Sequence, residues 1–204
     1  VLPKPAQAQY GARLHPVFGY LAGELFHMLR KPLLFLIAAL LCTTLLAEAV
    51  YQQPDDFLSE TFSGNVPEPA VIWLKGDRKE FVRQLLGHRY ASLRVRYWRR
   101  NQRSAWVLEE IGKDLPITIG LVINTGQLEQ IKVLVFRESR GWEIRHPFFT
   151  DQFENAVLDE NNTLDRDIDG ISGATLSVRA MKNMATLGLY LDAELRKQDV
   201  APSP

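Results

Sequence analysis

The residues with the clearest chemical potential form one short segment, residues 169–177, with the sequence DGISGATLS. Its small residues let a bound group approach the backbone closely; they are Gly170, Gly173 and Ala174. Three hydroxyl groups lie in the same stretch, on Ser172, Thr175 and Ser177. Asp169 can orient a hydroxyl, accept its proton or bind a divalent ion. The free N–H groups where the next helix begins suit a phosphate, although such a turn is also a common way to cap and pack a helix.

The helix predicted after this segment has one apolar stripe, and Ser177 is its predicted N-cap. The residues of the stripe are Val178, Met181, Met184, Leu187, Leu191 and Leu195. Their helical spacing predicts packing on a sheet, with the methionines filling gaps rather than binding metal. The sequence shows no metal-ligand set, acid/base pair or catalytic triad, and His88 and His146 are expected to be surface or packing histidines.

A β-hairpin is the clearest prediction upstream of this helix. Residues 117–123 are rich in β-branched side chains, Asn-Thr-Gly-Gln follows at 124–127, and residues 128–136 alternate in polarity. Two such runs around a glycine-containing turn are typical of a hairpin. The other predicted elements are strands at 90–98 and 105–111, a helix at 78–86 capped by Asp77, a short helix near 151–158 and a polar loop at 159–169. We therefore expect an α+β domain, in which helices pack on a small antiparallel sheet.

The N-terminal part of the sequence is predicted to anchor this domain in a membrane. Residues 32–47 carry no charge, and the apolar stretch reaches residue 50 if Glu48 lies near the interface, which is close to the length of a spanning helix. Prolines and glycines after it indicate a linker of irregular structure. The predicted segments are a cytoplasmic or interfacial segment at 1–31, one transmembrane helix at 32–50, the linker at 51–76 and an extracytoplasmic domain at 77–200.

Charges beside the anchor predict its orientation. Arg30 and Lys31 precede the apolar run, so the positive-inside rule places the N-terminus in the cytoplasm and the C-terminal domain outside. In a bacterium this is a single-pass protein of the inner membrane with its domain in the periplasm. A secretory signal peptide is the alternative, because residues 47–49 resemble a cleavage site, but the long region before the apolar run is unusual for a signal and favours a retained anchor.

The overall charge and the cysteine count exclude several functions. The 24 basic and 24 acidic residues balance, so nothing favours nucleic-acid binding. Cys42 is the single cysteine, which excludes an intrachain disulfide and a cysteine cluster for zinc or iron–sulfur. A locally basic run is interpreted as a solvated strand face or as a docking patch for an acidic partner; it consists of Arg94, Arg96, Arg99, Arg100 and Arg103.

Residues 169–175, with the sequence DGISGAT, resemble the flavinylation motif of the FMN-binding domain family. This family includes the peripheral flavin subunits of the Rnf and sodium-pumping NADH:quinone reductase complexes. In it, an FAD-dependent transferase attaches FMN through a phosphodiester to the last Thr or Ser of the motif. The resemblance therefore implies FMN esterified to Thr175. The surrounding motif residues implied to contact it are Asp169, Gly170, Ser172, Gly173, Ala174 and Leu176.

A second, shorter stretch is similar to a Glu-Thr-Pro-Gly-like turn that lies near the flavin in this family. Glu138, Ser139 and Gly141 align with it, and Arg140 replaces the proline. Arg140 can then face the flavin or its phosphate. Trp142 is interpreted either as a residue that stacks on the flavin ring or as a core tryptophan.

Together, the resemblance and the anchor imply an electron-transfer subunit rather than a stand-alone enzyme. It would relay electrons through FMN in a membrane redox chain. The implied partners are membrane redox subunits or quinone-linked proteins, the FMN transferase and membrane lipid. Two alternatives remain: an accessory or assembly subunit of a larger membrane complex without redox turnover, and a flavin enzyme acting on a small substrate.

Overall fold

A six-stranded antiparallel sheet, in the order β1-β6-β5-β4-β3-β2, is the frame of the described part of the protein. The structure is a computed structural model, and it describes residues 48–200. The strands are β1 (Ala49–Val50), β2 (Ala70–Trp73), β3 (Arg94–Arg100), β4 (Arg103–Ile111), β5 (Pro116–Asn124) and β6 (Gln127–Phe136). The helices are α1 (Pro54–Thr61), α2 (Asp77–Leu86), α3 (Pro147–Thr150) and α4 (Thr175–Val200), with 3₁₀ turns at Trp142–Arg145 and Asp151–Phe153. The predicted α+β class with an antiparallel sheet is confirmed.

The predicted hairpin is formed by β5 and β6, which are joined by a two-residue turn. Thr125 and Gly126 both have positive φ, at 52° and 83°, as a type I′ turn requires. Because β4 pairs with β5 along its whole length, the three long strands form the rigid centre of the sheet. The prediction of a strand at 105–111 is confirmed within β4.

Helix α4 covers one face of this sheet, as its stripe predicted. All six stripe residues are buried. The close approach is visible at Gly188, where an added Cβ would lie 2.6 Å from Leu121 Cδ1 of β5. A buried hydrogen bond from Ser104 Oγ to Asp192 Oδ1, 2.7 Å long, ties the start of β4 to the second half of α4. At the other end of these two elements, the last residues of β4 therefore lie near the first residues of α4.

Helix α1 covers the other face, where the sequence predicted a linker. Its Phe57 and Leu58 are buried against Val122 and Leu134, and Gly120 leaves room for the Phe57 ring, which an added Cβ would approach to 2.8 Å. The prediction of irregular structure at 51–76 is wrong, because this segment contributes α1 and the edge strand β2. The hydrophobic contact of Phe57 with the sheet stabilises a helix that local sequence does not indicate.

Several predicted boundaries also need correction. The strand predicted at 90–98 runs instead over Arg94–Arg100, and Asp77 is the first residue of α2, whose N-cap is Gly76. The helix predicted near 151–158 is displaced toward the N-terminus, since the helical turns end at Phe153. Residues 154–158 cannot continue as a helix because Ala156 forms a bridge with Leu128 of β6.

The predicted transmembrane segment, residues 32–50, lies almost entirely outside the described residues. At its end, Ala49 and Val50 pair with Phe136 and Val135 as strand β1, so the predicted helix cannot extend to residue 50. Within residues 48–200, none of the helices combines the length and the apolar character needed to cross a membrane.

Candidate functional site

The segment 169–175 ends in a tight turn that leads directly into α4. The Ala174 N–H donates to the Ile171 carbonyl at 3.0 Å, and Gly173 has a φ of +82°, which L side chains rarely adopt. The first bond of the helix joins the Val178 N–H to the Ala174 carbonyl at 2.9 Å. Helix α4 therefore begins at Thr175 with Ala174 as its N-cap, and the prediction that Ser177 is the N-cap is wrong by three residues.

Thr175 occupies the position that the flavinylation motif requires, with an exposed side chain at the first residue of a 26-residue helix. The backbone N–H groups of Thr175, Leu176 and Ser177 precede the first i→i−4 bond of α4 and point out of its N-terminus. The positive end of the helix dipole favours an anion at this place. Ser177, by contrast, is buried with 4% of its surface exposed, and its hydroxyl faces the protein rather than solvent.

Glu138 lies beside this helix start, but its carboxylate has a structural role. Oε1 accepts three backbone hydrogen bonds, from the N–H groups of Lys113, Asp114 and Leu115, at 2.6, 2.6 and 2.8 Å. These residues form the turn between β4 and β5. A Cβ at the preceding Gly112 would lie 3.0 Å from Glu138 Oε1. Glu138 therefore holds the β4–β5 turn closed against the end of β6.

Gly141 joins the Glu138 turn to the start of α4. It is buried with a φ of +88°, and a Cβ at this position would lie 2.4 Å from Ser177 Oγ and 3.4 Å from Ala174 Cβ. The two segments that sequence analysis singled out, 138–142 and 169–177, are thus in direct contact although about thirty positions separate them. Glycine is required here both for its backbone conformation and for space.

A cleft of about 610 Å³ opens between these segments. Its lining residues are Lys113, Glu138, Ser139, Arg140, Gly173, Ala174, Thr175, Leu176 and Ser177. Seven of the predicted cofactor-binding residues therefore share one cavity, whose volume is typical of a cofactor site. Its cationic groups are Lys113 and Arg140, both exposed, and Lys113 Nζ also lies 3.5 Å from Asp114 Oδ2.

The remaining predicted site residues lie around this cleft rather than in its lining. Ser172 and Gly170 are exposed on the approach to α4, and Gly141 is buried behind the cleft. Asp169 is exposed and its N–H donates to Gln152 Oε1 at 2.7 Å. Trp142 is 43% exposed, so its interpretation as a core tryptophan is wrong.

Lys113 is the cleft residue that sequence analysis missed. Its side chain is exposed while its N–H is bound by Glu138. The sequence does give one indication of where Lys113 lies, because the turn between two predicted strands must lie at one end of the sheet. The sequence did not show that α4 begins at that same end. Within residues 48–200, no group of His, Cys, Asp and Glu is arranged to bind a metal ion.

The basic run of residues 94–103 is divided between the two faces of the sheet, because Arg99 forms an ion pair with Asp199 of α4 whereas Arg94 and Arg96 do not face α4. It is part of the β3–β4 hairpin, which agrees with the predicted strand face and turn. Arg94 and Arg96 line a second cleft, of about 930 Å³, together with the carboxylates of Asp55 and Glu109. This mixed lining carries no flavinylation motif, and a docking role for an acidic partner stays a prediction.

The comparisons with known proteins agree with the site. A comparison with curated proteins found no match. Residues 112–189 match the family model described as FMN-binding domain. The matched residues run from the β4–β5 turn held by Glu138, through the cleft, to the middle of α4. The match covers 78 of the 204 residues and supports an FMN-binding domain in this part of the chain.

Proposed function

We propose that the protein is a membrane-anchored electron-transfer flavoprotein that carries FMN on the Thr175 hydroxyl through a phosphodiester bond. One observation carries the proposal: an exposed threonine begins α4 and opens into a cleft shared with the Glu138 turn. The match of residues 112–189 to the FMN-binding domain model supports FMN as the cofactor, and the covalent link rests on the position of Thr175 in the motif.

The residues around Thr175 fit a phosphate. The first-turn N–H groups of α4 can donate to its oxygens, and the exposed Lys113 and Arg140 supply positive charge at the edge of the cleft. In the attachment reaction, Thr175 Oγ would form a bond to the FMN phosphorus of FAD. The pyrophosphate bond of FAD would break, AMP would leave and the hydroxyl proton would be released. A phosphodiester keeps the cofactor on the protein outside the cytoplasm.

The cleft also has a place for the flavin ring. Half-buried Leu176 provides an apolar surface next to Thr175, and Ser139 and Arg140 provide hydrogen-bonding groups on the other wall. When bound, FMN accepts and donates one or two electrons, while the protein positions the ring and adjusts its potential. The cleft is open to solvent on one side, so a redox partner can approach the cofactor without entering a deep pocket.

The membrane context of the proposal rests on the sequence of residues 1–47. Their uncharged run and the preceding Arg30 and Lys31 support a single-pass anchor with the domain in the periplasm. Membrane redox subunits or quinone-linked proteins would then be the electron donor and acceptor. In this arrangement the anchor keeps the flavin close to partners that are themselves confined to the membrane.

The attachment is tested by expressing the full chain together with an FAD-dependent flavin transferase. Intact mass should increase by FMN less one water, and flavin fluorescence should remain with the denatured protein. Thr175→Ala should lose both signals, whereas the matched control Thr163→Ala, an exposed threonine outside the motif, should keep them. If flavin is released from the wild type on denaturation, or if Thr175→Ala retains the mass increase, the covalent link at this residue is wrong.

The electron-transfer role needs a separate measurement. Membrane vesicles that contain the flavinylated chain and its redox partners should reduce and reoxidise the bound flavin in step with electron flow. Vesicles with Thr175→Ala should lose that flow. Unchanged electron flow with Thr175→Ala would instead favour an accessory subunit without redox turnover.

A further inference from the structure

An exposed aromatic patch lies next to the candidate flavin site, and Trp142 is its one member that the family resemblance also links to the flavin. We define the aromatic patch as Tyr51, Trp142, Arg145, His146 and Phe148. Phe148 is 63% exposed, Trp142 43% and Tyr51 37%. Exposure of several large apolar side chains in one place is unusual for a protein surface that stays in water.

The members of the patch contact one another in an unbroken series. The Arg145 guanidinium lies over the Tyr51 ring at 4.5 Å and over the Trp142 ring at 5.3 Å. The Trp142 and His146 rings meet edge to face at 5.4 Å, and His146 stacks on Phe148 at 6.2 Å. The patch is therefore one continuous surface of rings around a cation, and not a set of scattered exposed residues.

The chain itself connects the patch to the predicted anchor. Tyr51 follows four residues after Ala47, the end of the uncharged run 32–47. Because an extended chain spans at most about 3.6 Å per residue, that end lies within roughly 14 Å of Tyr51. If residues 32–47 cross a membrane, the patch is held beside the membrane surface by its own covalent attachment.

The chemistry of the patch suits the headgroup region of a bilayer. Trp and Tyr concentrate at this depth, where an apolar ring and a polar edge are both satisfied. Within residues 48–200, no carboxylate lies at salt-bridge distance from Arg145, so its guanidinium is available to a lipid phosphate. We propose that the aromatic patch docks the FMN-binding domain on the anionic surface of the membrane in which the chain is anchored. The docking rests on the anchor of the proposed function.

The docking has a consequence for the flavin site. Trp142 follows Gly141, and Gly141 packs on Ser177 in the first turn of α4. A lipid contact through Trp142 therefore acts on the segment that forms one wall of the cleft. It holds the cleft at one height above the bilayer, where membrane-confined redox partners can reach it.

A matched control for the patch is present on the same domain. Trp73 is 47% exposed, close to the value for Trp142. It lies in β2, at the opposite edge of the sheet from β1, which leads into Tyr51. Docking through the patch would place Trp142 in the headgroup region and keep Trp73 in water.

The test uses the full chain, flavinylated and reconstituted into nanodiscs of phosphatidylcholine and phosphatidylglycerol with brominated acyl chains. Bromine quenches tryptophan fluorescence at short range, so the wild type should be quenched relative to nanodiscs of unbrominated lipid. Trp142→Phe should lose most of this quenching, whereas Trp73→Phe should retain it. Arg145→Gln combined with Phe148→Ser should also reduce it. Equal quenching in Trp142→Phe and the wild type would overturn the docking.

Flotation and mass separate this proposal from the proposed function. A chain that floats with the vesicles but shows no quenching of Trp142 contradicts the docking alone. A chain that does not float contradicts both the anchor and the docking. Quenching as expected without the FMN mass increase contradicts the flavin attachment and leaves the docking supported. If the patch docks on a protein partner instead of lipid, Trp142 should be shielded from water in the native membrane. This shielding should be lost in nanodiscs, and the lipid docking would then be wrong.

Discussion

Gly141 is in contact with Ser177, and through this contact the turn after β6 is fixed to the first turn of α4. A Cβ on Gly141 would lie 2.4 Å from Ser177 Oγ, and the residue has a φ of +88°. The contact joins the two sequence segments that resemble the FMN-binding domain family. It therefore decides whether Thr175 and the Glu138 turn share a cleft.

Gly141→Ala should destabilise the protein and reduce flavin attachment. The left-handed backbone costs an alanine roughly 1 kcal/mol, and displacing Ser177 adds a further cost of about 1–3 kcal/mol. Chemical unfolding would measure the change in stability, and the FMN mass fraction would measure attachment. Gly170→Ala is the control for stability, since a Cβ there meets nothing within 4 Å and the φ is not in the left-handed region.

The double variant Gly141→Ala with Ser177→Ala separates the two causes. Removal of Ser177 Oγ leaves Ser177 Cβ, at 3.2 Å, as the nearest atom of that residue, so the steric part of the cost should fall while the backbone part remains. A double variant that is no more stable than Gly141→Ala would show that the contact with Ser177 is not what excludes a side chain.

Glu138→Ala should loosen the β4–β5 turn, because three backbone N–H donors lose their acceptor. Because water can reach the exposed donors, each lost hydrogen bond costs about 0.5–1.5 kcal/mol. Hydrogen exchange at the amides of residues 113–115 should accelerate, and unfolding should occur at lower denaturant. Glu138→Gln keeps a carbonyl acceptor and should retain most of the protection. If alanine changes neither quantity, the carboxylate does not hold this turn.

The sequence predicted the elements whose local pattern agrees with their tertiary role. The β5–β6 hairpin follows from β-branched runs around Thr125 and Gly126, and α4 follows from its apolar stripe. The prediction for residues 51–76 is wrong because it interprets their prolines and glycines as signs of a linker. In the structure they mark element boundaries: Pro54 begins α1, where proline is well tolerated, and Gly76 is the N-cap of α2.

The candidate site was predictable as a motif but not as an arrangement. The motif DGISGAT predicts Thr175 close to a helix start, but the predicted N-cap, Ser177, lies three residues after the actual one, Ala174, because serine is a favoured N-cap residue. The structure shows that Ser177 packs inward against Gly141. The resemblance predicts Glu138 near the flavin. Its hydrogen bonds to the backbone of residues 113–115 depend on the end of β4 lying beside the end of β6, and no local sequence pattern predicts this contact.

Asp192→Ala should destabilise the attachment of α4 to the sheet. Asp192 is fully buried; its Oδ1 accepts from Ser104 Oγ and its Oδ2 from Arg196 Nε at 2.6 Å. Loss of an ionised partner from such a pair costs about 3 kcal/mol. Asp199→Ala is the control, because the Asp199 carboxylate in its ion pair with Arg99 is exposed and such a pair is worth less than about 1 kcal/mol. Equal effects of the two variants on the free energy of unfolding would contradict a special role for the buried carboxylate.

His88 and Glu110 should make stability fall as pH rises. His88 Nδ1 lies 3.0 Å from the Arg89 carbonyl and Nε2 lies 2.9 Å from Glu110 Oε1. The backbone carbonyl and then the carboxylate raise the pKa of His88 above 6.5. Burial raises the pKa of Glu110 above 4.5. In both cases the folded state binds the proton more tightly than the unfolded chain.

The stabilisation is therefore complete below the unfolded pKa values and is lost as pH rises through the folded ones. The free energy of unfolding should decrease as pH increases from about 6.5 upward, where His88 loses its proton. Glu110→Gln should reduce this slope without abolishing it, since the Arg89 carbonyl still favours the charged ring. Glu109→Gln, on the same strand but exposed, should leave the slope unchanged. Denaturant unfolding over this pH range, with a proton NMR titration of His88, measures both quantities. A His88 pKa at or below 6.5 would contradict the pair, because a ring that donates from both nitrogens must hold its second proton more tightly than a free histidine does.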